Sequence, residues 1–215
     1  VIESFEKDEF YKILIEEAFK HSFNEMHFKF KEQYPKKYAG TTVVSVFSYI
    51  SLQSGKRLLH CANVGDSRAI FVRSNRSHPI RISFDHKPAC ESEKLRIEIA
   101  GGNVSMGRLN GVLAVSRAIG DNFLEPVGLI SDPHVRMIQI DPEDNDLDRN
   151  FTHLVLATDG LWDVFTDVQV KNYVCNYISD AEGENIDYNS MSKELCEMAY
   201  KKGSMDNITV LIRKL

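Results

Sequence analysis

Much that would mark a specialised protein is missing from these 215 residues, and each gap excludes a class. No apolar run is long enough to cross a bilayer, and no secretory signal pattern opens the chain. There is no basic run and the net charge is -5, which argues against nucleic acid as a partner. The four cysteines, Cys61, Cys90, Cys175 and Cys196, are widely spaced and form no CxxC pair. Free thiols in a reducing, intracellular setting, cytoplasmic or nuclear, are expected rather than disulfides or zinc ligands. The histidines include no HExxH, and the spacing of His21 and His27 around Glu25 does not bring both onto one helical face. An initiator methionine is missing too: Val1 opens straight into ordinary sequence, so a fragment or processed form is expected. What remains, 43% hydrophobic and 27% charged without repeats, is the composition of one globular domain over residues 1–215.

Residues 8–31 carry the clearest helical pattern. Ile15, Phe19, Phe23, Met26 and Phe30 recur at steps of four and three, which lays down one core-packing stripe. Pro35 and Gly40 end that region. Residues 41–52 and 57–64 read as strands joined by a hairpin turn at Gln53-Ser54-Gly55. The tight Gly65-Asp66-Ser67-Arg68 connection leads into a strand over 69–73, and residues 80–83 are short and extended. Short connections between successive strands predict antiparallel pairing, because parallel neighbours need long crossovers. A helix is predicted over 91–100, stopped by Gly101-Gly102. Residues 103–122 read as loop and short strand, and 135–140 as strand.

The DPEDNDLD segment at 141–148 has the acids of a calcium loop. It puts Asp146 where the turn needs glycine and Thr152 where the closing glutamate belongs, so a solvated acidic loop is expected. Thr166 and Gln169 form a capping-box start to a helix through 178. After a polar loop at 179–189 come a helix over 192–202 and a strand over 208–213.

The segment that organises the chain is 151–164, FTHLVLATDGLWDV: a buried strand over 154–157, then a turn carrying Asp159 and Asp163. Gly160 is read there as the residue that lets the backbone turn sharply. Taken alone, the Asp-Gly pair is an ordinary turn. Two further acids, Asp66 and Asp206, also lie at a strand end or start. Strand ends can converge on one sheet edge, and clustered carboxylates repel unless cations neutralise them. All-oxygen ligation favours Mg2+ or Mn2+. One decoy is set aside. His60-Cys61 with Arg68 resembles a cysteine-phosphatase loop, but six residues rather than five separate the cysteine from the arginine, and Cys61 reads as a core thiol.

Six motifs fall in a recognisable order: Gly40-Thr41-Thr42, Val64-Gly65-Asp66-Ser67-Arg68, Asp85-His86-Lys87-Pro88, Leu113-Ala114-Val115-Ser116-Arg117-Ala118-Ile119-Gly120-Asp121, Ala157-Thr158-Asp159-Gly160-Leu161-Trp162-Asp163 and Ser204-Met205-Asp206-Asn207-Ile208-Thr209-Val210. Together they resemble the metal-dependent serine/threonine protein phosphatases of type 2C. The resemblance implies an α+β fold, an α-β-β-α sandwich of two antiparallel sheets flanked by helices, with a centre of two Mn2+ or Mg2+ ions and room for a third. Asp159 and Asp206 match direct metal ligands. Asp66 and Asp163 match acids that hold metal-bound water or the looser third ion, and Gly160 and Asn207 match supporting residues. The implied reaction is attack by a metal-activated hydroxide on phosphoserine or phosphothreonine of a phosphorylated protein substrate, with no phosphoenzyme.

The family's Asp-Gly-His-Gly-Gly motif, its general-acid histidine and its phosphate-gripping arginine have no match here; the only Asp-Gly is Asp159-Gly160. The resemblance therefore implies a catalytic domain that is N-terminally incomplete, lacks its first strands and turns over weakly or not at all as it stands. The alternative left open is a non-catalytic, phosphatase-like binding or regulatory module.

Overall fold

A helix with no glycine or proline to interrupt it opens the chain. This helix, α1, runs Ile2–Gln33 in the computed structural model, which describes residues 2–35, 38–140, 152–181 and 186–215. In chain order there follow β1 (Gly40–Thr41), β2 (Val43–Ile50), β3 (Arg57–Val64), β4 (Arg68–Arg73), β5 (Ile80–Arg81) and α2 (Glu91–Ile99). Next come β6 (Val104–Ser105), β7 (Arg108–Leu109), β8 (Ile119–Gly120), a 3-10 turn (Asn122–Val127) and β9 (His134–Ile140). The last elements are β10 (Thr152–Ala157), α3 (Asp159–Trp162), α4 (Asp167–Asp180), α5 (Tyr188–Lys201) and β11 (Val210–Lys214). The chain divides into two units, residues 1–67 with 83–137 and residues 68–82 with 138–215.

In the first unit, β2 and β3 form the predicted antiparallel hairpin, in register from Val43↔Val64 to Ile50↔Arg57. The sheet order is β2-β3-β9. Phe23 of α1 packs with Ala62, Val64 and Ile119, so most of the expected stripe does face the core. Met26 does not: it is 48% exposed, and its neighbour His27 turns inward instead. Partners explain the exchange. His27 Nδ1 accepts the Gly120 amide at 3.2 Å, which leaves Nε2 to donate to Glu125 Oε1 at 2.8 Å.

A second core gathers Ile97 of α2 with Leu109, Val115, Leu124 and Leu129. Beside it, Glu93 is buried and accepts hydrogen bonds from Ser116 Oγ (2.6 Å), Arg117 Nη2 (2.6 Å) and Arg96 Nη2 (2.7 Å). Burial alone would raise its carboxyl; the hydrogen bonds and the Arg117 charge outweigh that and pull it down to about 2.

In the second unit the sheet order is β11-β10-β4-β5, all antiparallel. Ile70, Val155 and Ile212 of this sheet pack with Leu161, Val170 and Leu195 from the helices. The capping box is present: Thr166 Oγ1 accepts from Gln169 N at 3.3 Å, and Gln169 Oε1 accepts from Thr166 N at 3.0 Å. Helix α5 starts four residues before the predicted Ser192, because the Asp187 carboxylate caps it by accepting from Asn189 N and Ser190 N.

Two expectations about connections change. Gly65 to Ser67 does not close a hairpin, since β3 lies in one sheet and β4 pairs with β10 and β5 in the other. Gly65 takes a left-handed φ of +87°, and a Cβ there would run into the Thr42 side chain. Helix α1 also begins earlier than residue 8, as nothing from Ile2 onward breaks it. The mixed class with antiparallel sheets is as predicted. The acidic segment at 141–148 lies outside the described residues.

Candidate metal-binding edge

Strands β10 and β11 pair from His153↔Lys214 to Ala157↔Val210. Beyond that last pair the two chains stay joined. Thr158 N donates to Thr209 O at 3.1 Å, and Thr209 N donates to Thr158 Oγ1 at 3.0 Å. Thr158 Oγ1 in turn donates to Asn207 O at 3.0 Å, and Ser204 Oγ donates to Gly160 O at 2.6 Å. These four bonds hold the segment carrying Asp206-Asn207 against the segment carrying Asp159-Gly160. Both acids thus sit at one end of one strand pair.

The Asp-Gly pair is not the turn that the sequence led us to expect. Thr158 is an N-cap and Asp159 opens α3. Gly160 is helical, and the need for glycine has a different cause: a Cβ there would stand 2.5 Å from Asn207 O. Asp163 follows one helical turn after Asp159, joined by Asp163 N donating to Asp159 O at 2.8 Å. Carboxylates four apart on a helix share a face and repel unless a cation lies between them. Asp206 Oδ1 accepts the Asn207 amide at 2.6 Å, and both residues are exposed. Asp206 lies further ahead of β11 than the expected strand over 208–213 would put it, because the strand begins at Val210 and not at Ile208.

Asp66 belongs to the first unit and is 5% exposed. Lys87 Nζ donates to its Oδ2. Lys87 lies inside the Asp85-His86-Lys87-Pro88 motif, and only the fold reveals its reach to Asp66. Asp167, outside the six motifs, accepts from Arg68 Nη1 (2.6 Å) and from Arg81 Nε (3.0 Å). Burial would raise the Asp167 carboxyl, and the two guanidinium groups lower it instead. Arg68 also lies over the Trp162 ring at 5.0 Å, and Trp162 Nε1 is fixed to Ala157 O at 2.9 Å. With Asp163 these side chains line a cleft of about 450 Å³.

The Protein phosphatase 2C family profile matches residues 1–208. The chain belongs to this family. Among its relatives, the integrin-linked kinase-associated serine/threonine phosphatase 2C of Mus musculus is 33% identical over 211 residues, which cover 93% of this chain and 50% of that protein. Protein phosphatase 2C homolog 1 of Saccharomyces cerevisiae is 36% identical over 163 residues, covering 76% and 52%. The chain spans about half the length of the curated relatives it matches. Among solved structures, a serine-threonine phosphatase 2C from Toxoplasma gondii aligns with TM-score 0.73 and 26% identity over 98% of this chain and 70% of that one.

Phosphatase 2C membership makes the donor chemistry of the β10–β11 edge the feature to weigh. It offers Asp159, Asp163 and Asp206, all oxygen donors on neighbouring backbone, which suits a hard divalent cation. Among the described residues no group of three or more His, Cys, Asp or Glu side chains closes into a metal-holding cluster. The fit therefore rests on donor type and on backbone placement at the strand end.

Proposed function

We propose that this chain hydrolyses phosphoserine and phosphothreonine in protein substrates with Mn2+ or Mg2+ bound at the acids of the phosphatase 2C pattern. Asp159 and Asp206 would hold the two ions directly. Asp163 would hold water around them or a third ion, with Gly160 and Asn207 in support, and Asp66 is read, from its motif alone, as a further cation-associated acid. The observation that carries this reading is the hydrogen-bonded clasp of Thr158 and Ser204, which keeps Asp206 beside Asp159 at one strand end. When bound, divalent ions lower the pKa of water and neutralise phosphoryl charge.

The protein's own groups have narrower tasks. Asp159 and Asp163 concentrate negative charge on one helical face, and Gly160 admits the Asn207 carbonyl that fixes the spacing. The net reaction forms a bond from water oxygen to phosphorus and breaks the ester bond to the serine or threonine oxygen. No side-chain nucleophile is needed, and Cys61 is a poor one: it is fully buried, and burial pushes its thiol up to about 12.

The test is phosphate release from a phosphothreonine peptide with Mn2+, with EDTA, and with Asp159→Asn. Mn2+-dependent release that stops in EDTA and in the variant is expected. Release that survives both would refute the reading. Peptide binding without release, by a folded chain, would favour a binding module.

A further inference from the structure

We propose that Lys87 is a tethered counter-cation that holds Asp66 when no divalent ion is there and yields its place when one binds. The inference rests on the reading of Asp66 as a cation-associated acid. A carboxylate as buried as Asp66 is costly to keep ionised without a partner. Among the described residues, Lys87 is the cation that meets it.

Lys87 is delivered there by a built support. Asn63 clasps Phe84 through two bonds, Nδ2 donating to Phe84 O (2.6 Å) and Oδ1 accepting from Phe84 N (3.0 Å). His86, fully buried, donates to Gly65 O from its backbone N (2.9 Å) and from Nδ1 (3.1 Å). Cys90 N donates to Lys87 O at 3.0 Å. Residues 84–87 are thereby fastened along residues 63–66, and the lysine side chain starts next to the acid it serves.

The residue type fits a displaceable partner. Arginine would grip the carboxylate with a two-pronged, planar fork, whereas an ammonium is a compact point charge on a flexible stem. The Lys87 side chain is 40% exposed against 6% for Asp66, so the ammonium has solvent to retreat into. A divalent cation must displace the ammonium before it reaches the carboxylate, and a partly solvated ion pair is worth up to about a fivefold preference. Removing Lys87 should therefore tighten cation binding at Asp66 by up to about fivefold.

The experiment is a calorimetric Mn2+ titration of the full chain, of Lys87→Met, of Asp66→Asn and of the double variant. Lys87→Met is expected to bind Mn2+ up to about fivefold more tightly, with the gain lost in the double variant. If Asp66→Asn weakens Mn2+ binding while Lys87→Met does not strengthen it, the lysine is only structural and the inference falls, with the reading of Asp66 intact. If Asp66→Asn changes nothing in either background, the reading of Asp66 falls and the inference with it. Should Lys87→Met fail to fold, acetylation of Lys87 in the unmodified chain gives the answer. Mn2+ is expected to speed its labelling severalfold, and an unchanged rate overturns the proposal.

Discussion

Replacing Gly160 by alanine separates two opposed effects. In an ordinary helix the change stabilises, because glycine loses more backbone freedom on folding, and the gain is about 0.5–1 kcal/mol. Here the added Cβ would lie 2.5 Å from Asn207 O, 3.1 Å from its carbonyl carbon and 3.2 Å from Ile208 Cγ1. Ordinary contact begins at 3.4 Å, so the 207–208 backbone must retreat by about 1 Å. The Thr158 Oγ1 to Asn207 O bond is already 3.0 Å, and such a retreat breaks it. Overpacking costs about 1–3 kcal/mol, and the lost bond adds about 1. The net expectation is a destabilisation of about 2 kcal/mol, read by urea unfolding. Mn2+ affinity should fall in parallel, since Asp206 moves with the loop. A Gly160→Ala chain that is more stable than the parent by the amount helix propensity allows would refute the packing argument.

Two further outcomes follow from buried groups. Glu93 sits at about 2, against 4.5 for an unperturbed glutamate, so its contribution is complete above pH 4.5 and is lost as pH falls toward 2. Urea unfolding at pH 6 and pH 2.5 should show the parent losing about 3 kcal/mol more than Glu93→Gln; parallel losses would contradict the network. Cys61→Ser should leave Mn2+-dependent turnover unchanged while lowering stability by about 1–3 kcal/mol, because a hydroxyl replaces a thiol in a fully buried place. A folded but inactive Cys61→Ser chain would revive a cysteine mechanism.

Periodicity made most elements readable, and the reasons for the failures are local. Strand β3 coincides with its apolar run, and the Thr166 capping box is complete within four residues. Such signals are short-range. Partners far apart in sequence were out of reach: His27 finds Glu125 98 residues away, and Arg68 finds Asp167 99 away. The inward turn of His27 in place of Met26 follows from one of these contacts. At Gly65–Ser67 the connection length was legible but the change of sheet was not, because a short link does not state which strand it feeds. At Gly160 the sequence suggests a sharp turn, whereas the helix needs room there for the Asn207 carbonyl. Composition can say that a glycine matters, but only the fold separates a tight turn from a close backbone approach. Asp159, Asp163 and Asp206 were legible as strand-end acids; the threonine and serine that clasp them together were not.

The most direct measurement is Mn2+ binding, by electron paramagnetic resonance of free Mn2+, to the parent chain, Asp159→Asn, Asp206→Asn and Thr158→Val. If the β10–β11 edge is the metal-binding edge, both aspartate variants lose the bound ion while remaining folded, and Thr158→Val weakens it by loosening the clasp. Unaltered Mn2+ binding in folded Asp159→Asn and Asp206→Asn would contradict the account.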